Sequence, residues 1–139
     1  MKKIEYSTKI TVPFCDLDPM NVVWHGNYIK YLELARGKFF EHLGFGYIDM
    51  HNTGIAYPIA KMDLKFIAPA SFNQELEVKC ILEEIEPAII IKYEIYDALT
   101  KEKLFKASSM QICVNPKTKE TIYNAPERLV KAIESVNHD

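Results

Sequence analysis

The segment GNYIKYLELARGKFFEHLG, Gly26 to Gly44, has the residue spacing of a long α-helix. Its apolar side chains recur three and four residues apart, with two more beside them: Tyr28, Leu32, Ala35, Phe39 and Leu43, flanked by Ile29 and Phe40. The polar residues opposite make only a narrow stripe: Lys30, Glu33, Gly37 and Glu41. The pattern therefore predicts a helix with most of its circumference buried. Gly26 or Asn27 can begin this helix, and Gly44 is expected to end it.

The chain on both sides of this helix alternates apolar and polar residues, which is the pattern of strands with one wet face. A first strand is predicted over Ile4 to Phe14, and a short helix or turn over Gly46 to Asn52. Four consecutive antiparallel strands are then predicted: Ile59 to Ile67, Glu75 to Glu83, Ile89 to Tyr96 and Leu104 to Val114. Pro126 is expected to begin a short C-terminal helix.

A long apolar helix and about five strands must bury their apolar faces against each other. The economical arrangement is an α+β fold in which an antiparallel sheet of about five strands wraps around one central helix. No repeat or linker divides the chain, so residues 1–139 are expected to form a single domain. Such a sheet has open edges, and pairing between the edges of two chains would cover them.

Composition excludes several classes of function. A net charge of -2 with mixed signs argues against a nucleic-acid partner. The three cysteines, Cys15, Cys80 and Cys113, fit neither a disulfide framework nor a zinc pattern, and are expected to be reduced and mostly buried. No apolar run reaches about 18 residues, so we expect a soluble cytosolic protein with no membrane partner. A chain of 139 residues can bury a sufficient core without a cofactor, and the spacing of Asp16, Asp18 and Asn21 does not fit a calcium loop, so no metal or other cofactor is expected.

The linker before the helix, FCDLDPMNVVWHGNY from Phe14 to Tyr28, is too long and too apolar for an ordinary connection. Val22, Val23 and Trp24 would be poorly placed in water. We expect the segment to fold inward and to carry Asp18 and His25 with it. A rigid scaffold that positions polar side chains on a loop is typical of an active site.

The segment DLDPMNVVWHGNYIKYLELAR, Asp16 to Arg36, resembles the signature of the hotdog-fold acyl-CoA thioesterases of the 4-hydroxybenzoyl-CoA thioesterase type, and KMDLKFIAPA, Lys61 to Ala70, resembles that family's second strand. The resemblance implies the hotdog fold, thioester hydrolysis, and a homodimer with active sites at the subunit interface. A further pairing into tetramers is left open. The family's catalytic carboxylate falls on Asp18, and the helix-start peptide N–H that receives the thioester oxygen falls on His25.

One residue departs from the family pattern. The family usually has glycine three residues after the catalytic aspartate, where this chain has Asn21. Glycine in a turn usually supplies a positive φ, and asparagine is among the few other residues that adopt it routinely. We therefore predict a positive φ at Asn21.

Thioester hydrolysis suits these residues. The leaving thiol has a pKa of about 8.5, by analogy with cysteine, so no strong general acid is required. The reaction needs a carboxylate that attacks or activates water, here Asp18, and donors for the oxyanion, here the helix start near His25. The other residues of the helix start are predicted to bind the substrate: Trp24, Gly26, Asn27 and Tyr28.

Alternative readings of these residues stay open. Asp18 could be an ordinary turn residue, Asp16 is expected to cap or solvate the turn, and the His25 side chain could be a general base or contact the substrate. A nucleophilic Cys15 is disfavoured because a strand-end thiol is usually buried. The alternative functions are a hotdog-fold hydratase or dehydratase and a non-catalytic acyl-CoA-binding module. The sequence does not identify the acyl group or the phosphate-binding residues. It also leaves open whether the substrate carries coenzyme A or an acyl-carrier protein.

Overall fold

The computed structural model describes residues 3–137. These residues form seven strands, three α-helices and one short 3₁₀ turn. The strands are β1 (Ile4–Thr11), β2 (Ile59–Phe66), β3 (Glu75–Glu84), β4 (Ile89–Asp97), β5 (Lys103–Gln111), β6 (Cys113–Val114) and β7 (Thr121–Ile122). The helices are α1 (Asn27–Leu43), α2 (Tyr47–Asn52) and α3 (Glu127–Asn137), and the 3₁₀ turn is Phe14–Asp16.

Helix α1 begins and ends where the sequence predicts. Gly26 caps its N-terminus, and Gly44 closes its C-terminus with a φ of 81°. The Gly44 N–H donates to the carbonyl groups of Phe40 and Glu41. Eight α1 side chains are buried: Tyr28, Tyr31, Leu32, Ala35, Arg36, Phe39, Phe40 and Leu43. Two apolar α1 residues lie on the surface instead, Ile29 at 38% exposure and Leu34 at 55%.

Five strands form one antiparallel sheet in the order β1-β3-β4-β5-β2. The expectation that the strands pair consecutively is correct from β3 to β5 and wrong for β2, which pairs with β5 rather than β3. The chain leaves the sheet after Thr11 because Pro13 has no N–H for a ladder and begins the 3₁₀ turn. Phe14 therefore lies outside β1, and it is 73% exposed.

The inner face of the sheet covers α1. Every second residue of β3 is buried there, as the alternation predicts: Leu76, Val78, Cys80 and Leu82. The inner residues of β4 continue this core: Ile89, Ile91, Tyr93 and Ile95. The expected α+β hotdog arrangement, a five-stranded antiparallel sheet around one central helix, is confirmed.

Strand β2 lies at one edge of the sheet and, among residues 3–137, pairs only with β5. Several apolar side chains at this edge are exposed, including Ile59 at 37%, Phe66 at 51% and the following Ile67 at 46%. An exposed edge with apolar side chains is a surface that proteins usually pair or cover. Within residues 3–137, no helix has the length and hydropathy needed to cross a membrane.

The cysteines differ from the prediction at one position. Cys80 and Cys113 are buried, and burial raises the pKa of Cys80 to about 12. Cys15, expected to be buried, is exposed because it lies in the 3₁₀ turn after the sheet has ended.

Candidate active site

The linker between the 3₁₀ turn and α1 folds into a small hairpin, residues 16–24. Leu17 and Val23 form an isolated antiparallel bridge at its centre. The N–H of Asp18 donates to the Val22 carbonyl at 2.8 Å, and the N–H of Trp24 donates to the Asp16 carbonyl at 3.0 Å. The 3₁₀ turn and this hairpin together connect β1 to the start of α1, so Asp18 is held on a short, hydrogen-bonded arm.

The tip of the hairpin is a tight turn from Asp18 to Asn21. The N–H of Asn21 donates to the Asp18 carbonyl at 3.0 Å, and the N–H of Met20 donates to Asp18 Oδ1 at 2.8 Å. Asn21 has a φ of 64°, so the predicted positive φ is confirmed. The turn keeps its shape without glycine because asparagine tolerates the left-handed region. The second carboxylate oxygen of Asp18 accepts no hydrogen bond from the described residues, and the side chain is partly exposed.

The expectation that the linker folds inward is correct for Val23 and wrong for Trp24. Val23 is 4% exposed, and its N–H donates to the Ala70 carbonyl at 2.8 Å. Trp24 is 50% exposed because successive residues of the extended arm point to opposite sides. Its ring lies over the helix start, where a Cβ on Gly26 would be only 2.1 Å from the Trp24 ring.

The N-terminus of α1 supplies unpaired donors. The N–H of Asn27 donates to the Trp24 carbonyl at 2.9 Å, and the N–H of Tyr28 to the His25 carbonyl at 3.4 Å. Among residues 3–137, the N–H groups of His25 and Gly26 make no hydrogen bond. The His25 side chain is exposed, and its ring centroid lies 4.9 Å from that of Trp24. Unpaired N–H groups at a helix start, together with the positive end of the helix dipole, favour a negatively charged ligand atom.

A cleft of about 220 Å³ opens beside the helix start. Its walls come from the helix start and from the segment that ends β2: Val23, His25, Tyr28, Phe66, Ile67, Ala68 and Pro69. The Tyr28 ring stacks on Phe105 with centroids 4.8 Å apart, and the Tyr28 hydroxyl accepts the N–H of Ala70 at 3.1 Å. Burial raises the pKa of Tyr28. The cleft is mostly apolar, and His25, whose N–H has no partner among residues 3–137, is one of the residues that line it.

The site residues predicted from sequence occupy different places. His25 and Tyr28 line the cleft, whereas Asn27 uses its side-chain amide to donate to the Asp16 carbonyl at 2.9 Å. Gly26 leaves room for the Trp24 ring. Asp18 lies at the tip of the hairpin and His25 just beyond its base, and within residues 3–137 no side-chain contact joins them.

Asp16 differs most from its prediction. It was expected to cap or solvate the turn, but it is 3% exposed. Its carboxylate accepts hydrogen bonds from Lys30 Nζ at 2.6 Å and from the Tyr31 hydroxyl at 2.7 Å. The Cys15 thiol also lies 3.7 Å from Oδ1. Burial by itself would raise the pKa of Asp16, but the bonds from Lys30 and Tyr31 outweigh it and hold the pKa below its usual value.

A second buried polar cluster was missed in the sequence. Arg36 of α1 is 4% exposed, pairs with Glu33, and directs its guanidinium to the Tyr93 hydroxyl at 3.5 Å. That hydroxyl also lies 2.7 Å from Ser109 Oγ on β5. The one available signal was that polar Tyr93 and Ser109 stand at inward strand positions. The cluster ties α1 to the middle of the sheet, away from the cleft residues.

Within residues 3–137, no group of three or more His, Cys, Asp or Glu side chains is arranged to hold a metal ion. That the protein needs no metal remains a prediction. The chemistry that the site offers is that of a carboxylate, backbone donors and an apolar cleft.

Comparisons with known proteins agree with this arrangement. A family model described as the thioesterase-like superfamily matches residues 12–133. The chain is 29% identical over 108 residues to the putative acyl-CoA thioesterase YneP of Bacillus subtilis, covering 77% of this chain and 78% of that protein. It is 31% identical over 102 residues to the acyl-CoA thioesterase YbgC of Helicobacter pylori, covering 70% and 74%.

A solved structure agrees as well. The crystal structure of the DHNA-CoA thioesterase from Staphylococcus aureus superposes with a TM-score of 0.85 at 26% identity, covering 96% of this chain and 91% of that one. Because the family model extends over most of the sequence, the chain belongs to the thioesterase-like superfamily.

Proposed function

We propose that this protein hydrolyses an acyl-CoA thioester, with Asp18 as nucleophile or general base and the helix start at His25 as the oxyanion site. The observation that carries the proposal is the hairpin that joins the two. It holds a carboxylate with one unoccupied oxygen at its tip and leads directly into a helix start with unpaired N–H groups. One relative is named a putative acyl-CoA thioesterase and another an acyl-CoA thioesterase, which supports the choice of substrate class.

The reaction requires two things of these residues. The Asp18 carboxylate attacks the thioester carbon, or removes a proton from a water that attacks it, and the carbonyl oxygen gains negative charge. The N–H of His25 donates to that oxygen, and the dipole of α1 stabilises the charge. The carbon–sulfur bond then breaks, and the sulfur leaves as a thiolate that needs no strong general acid. If Asp18 attacks, the acyl group is left on it as an anhydride, which water then hydrolyses to release the acid and regenerate the carboxylate. If Asp18 is the general base, the attacking water supplies the hydroxyl of the acid, and the proton that Asp18 took passes to the thiolate.

The acyl group is assigned to the apolar cleft beside His25. Tyr28 and Phe66 provide flat aromatic surface, and Val23 provides an aliphatic one. Trp24 covers the helix start from the solvent side, where it can contact the thioester end of the substrate. This assignment gives Trp24, Gly26 and Tyr28 roles in substrate binding. Asn27 instead supports the hairpin, because its side-chain amide donates to the Asp16 carbonyl.

We further propose a homodimer in which the β2 edges of two chains pair. Support comes from the apolar side chains exposed at that edge and from the position of the cleft, which is bordered by the end of β2. Pairing there would bring a second chain beside each cleft. A cytosolic location is proposed from sequence alone, and cell fractionation tests it. A further pairing of dimers into tetramers is left open.

A panel of acyl-CoA thioesters tests the proposed function directly. The panel contains aryl, short aliphatic and long aliphatic acyl groups, and free thiol release is followed with a thiol reagent. Hydration of an enoyl-CoA is followed separately, because the exposed His25 imidazole beside the cleft would suit a hydratase. We expect thiol release with at least one acyl group. Hydration without thiol release would favour the hydratase, and binding without either reaction would favour a binding module.

A further inference from the structure

Asp16 is a buried charged residue to which the proposed chemistry gives no task. Yet donors from the segment that begins α1 converge on it from both sides. Its carboxylate accepts from Lys30 Nζ at 2.6 Å and from the Tyr31 hydroxyl at 2.7 Å. Its carbonyl accepts from the N–H of Trp24 at 3.0 Å and from Asn27 Nδ2 at 2.9 Å. One residue of the hairpin is therefore fixed to the first turns of α1 through both its backbone and its side chain.

Stability alone does not explain a charge at this place. Removing a carboxylate and an ammonium from water is costly, and replacing a buried ion pair by apolar residues of similar volume is often neutral or stabilising. The core also surrounds α1 without help from Asp16, through aliphatic and aromatic side chains of the sheet. What these hydrogen bonds supply is direction, because each of them fixes a geometry that an apolar contact would leave free to slide.

The hairpin has a second attachment, on its other side. The N–H of Val23 donates to the Ala70 carbonyl at 2.8 Å, and Val22 forms an isolated bridge with Ser71. Both contacts are with the segment that follows β2, and neither touches α1. Without the Asp16 side chain, the arm that carries Asp18 would keep its link to that segment and the bond from Asn27 to the Asp16 carbonyl. It would lose the bonds from Lys30 and Tyr31 of α1.

We propose that Asp16 is a positioning residue, which fixes the hairpin on α1 and so sets the distance between the Asp18 carboxylate and the N–H of His25. The inference rests on the proposed function, in which those two groups act on one thioester. Asp18 lies two residues beyond Asp16, about 7 Å along an extended chain. A small tilt at Asp16 therefore displaces the Asp18 carboxylate, and a displacement of about 1 Å can cost about 100-fold in rate.

Two variants of this cluster test the proposal. Asp16→Asn removes the charge and one of the two acceptors, and Tyr31→Phe removes one donor while keeping the buried ring. We expect kcat to fall about tenfold or more in both, with KM changed much less. The control is Asp49→Asn, because the Asp49 carboxylate likewise accepts from a cation, Arg128 at 2.5 Å, and from a second donor, the Gly46 N–H at 3.2 Å, but lies on α2. Its kcat should stay within about twofold of the wild type.

A double-mutant cycle separates positioning from a merely structural role. If Asp16 acts through Asp18, Asp16→Asn should have little effect on the residual kcat of the Asp18→Asn enzyme. A general loss of structure would lower kcat by the same factor in both backgrounds. Trp24 is the single tryptophan of the chain, and its backbone N–H donates to the Asp16 carbonyl. Its fluorescence anisotropy should fall in Asp16→Asn and Tyr31→Phe and stay unchanged in Asp49→Asn.

Each outcome decides the matter. Equal factors in the two backgrounds would overturn the positioning role, as would a folded Asp16→Asn or Tyr31→Phe enzyme with kcat within twofold of the wild type. If Asp16→Asn does not fold, Tyr31→Phe takes its place in the double-mutant cycle with Asp18→Asn. A fully active Asp18→Asn enzyme would overturn the proposed function itself, and the inference with it. An inactive Asp18→Asn enzyme with an unaffected Asp16→Asn would overturn only the inference.

Discussion

At the scale of the residue, the turn at the hairpin tip depends on the backbone conformation that Asn21 adopts. Its φ of 64° lies in the left-handed region, which costs an ordinary L-residue about 1–2 kcal/mol. The side chain is exposed, so packing contributes little to its role. The backbone conformation is what makes this position selective for asparagine or glycine.

We expect Asn21→Val to lower the free energy of unfolding by about 1–3 kcal/mol, because a β-branched side chain clashes with a positive φ. Asn21→Gly is the control, and its stability should stay within about 1 kcal/mol of the wild type. Urea unfolding followed by circular dichroism measures both. Equal stability of Asn21→Val and Asn21→Gly would show that the turn does not need the left-handed conformation.

The buried carboxylate of Asp16 should make the stability of the protein depend on pH. Its pKa is lower in the folded protein than the value of about 3.9 for an unfolded aspartate. The ionised form is therefore favoured by folding, and this stabilisation is present above about pH 4 and is lost as the pH falls through the folded pKa. We expect the stability of Asp16→Asn to fall less steeply below about pH 4 than that of the wild type.

Urea unfolding at pH values between about 7 and 2.5 tests this expectation for the two proteins. Other carboxylates with lowered pKa values, such as Glu94 and Asp97, are present in both, so the difference isolates Asp16. Parallel stability curves for the two proteins would contradict the assignment.

At the scale of the element, the start of α1 is built around a close contact. A Cβ on Gly26 would lie within 2.1–2.7 Å of three Trp24 ring atoms, so the indole can cover the helix start only when residue 26 is glycine. The Trp24 ring is half exposed and can move aside. The glycine therefore fixes the position of the ring rather than the existence of the helix.

We expect Gly26→Ala to displace the indole and to shift the fluorescence emission of Trp24, the single tryptophan, while the far-ultraviolet circular dichroism is retained. KM for the preferred thioester should rise if the ring contacts the substrate. Gly46→Ala is the control, since Gly46 precedes α2, its φ of -69° suits alanine, and a Cβ there would make an ordinary contact with Glu41 at 3.4 Å. An unchanged emission spectrum in Gly26→Ala would contradict the packing described for the helix start.

Sequence reasoning succeeded for elements with a period or a special backbone conformation. The spacing of apolar residues predicts α1, Gly44 predicts its end, and the substitution at Asn21 predicts a positive φ. It failed where contacts between residues far apart in the sequence determine which side chains are buried. Burial of Asp16 depends on Lys30 and Tyr31, which lie fourteen and fifteen residues away.

Strand order is also decided by long-range contacts. The pairing of β2 with β5 rather than β3 is not encoded in the alternation of either strand, which is the same for any partner. The exposure of Trp24 likewise depends on the direction of one side chain in a short extended segment. A segment of so few residues shows no apolar periodicity from which its buried side could be predicted.

At the scale of the whole molecule, the cleft is bordered by an edge strand. The segment Phe66 to Pro69 forms one wall, and the same segment continues the exposed β2 edge. A chain paired at that edge would add its own residues beside the cleft. We therefore expect the active protein to be a homodimer.

Sedimentation velocity at the enzyme concentration used for assay measures this directly. The mass of two chains is expected, because pairing would remove the exposed apolar side chains of that edge from water. A monomer with full turnover would contradict both the dimer and the proposed contribution of a second chain to the site.

The central claim, that the Asp18 carboxylate performs the chemistry, is tested most directly by the kcat of Asp18→Asn on the best thioester of the panel. The amide keeps Oδ1 for the N–H of Met20, so the turn should survive and thermal melting should be unchanged. We expect kcat to fall by about 10²–10⁴-fold with KM nearly retained, because the amide is neither basic nor nucleophilic. His25→Ala keeps its backbone N–H and should lose less. A folded Asp18→Asn enzyme with near wild-type kcat, or a larger loss for His25→Ala, would contradict the account.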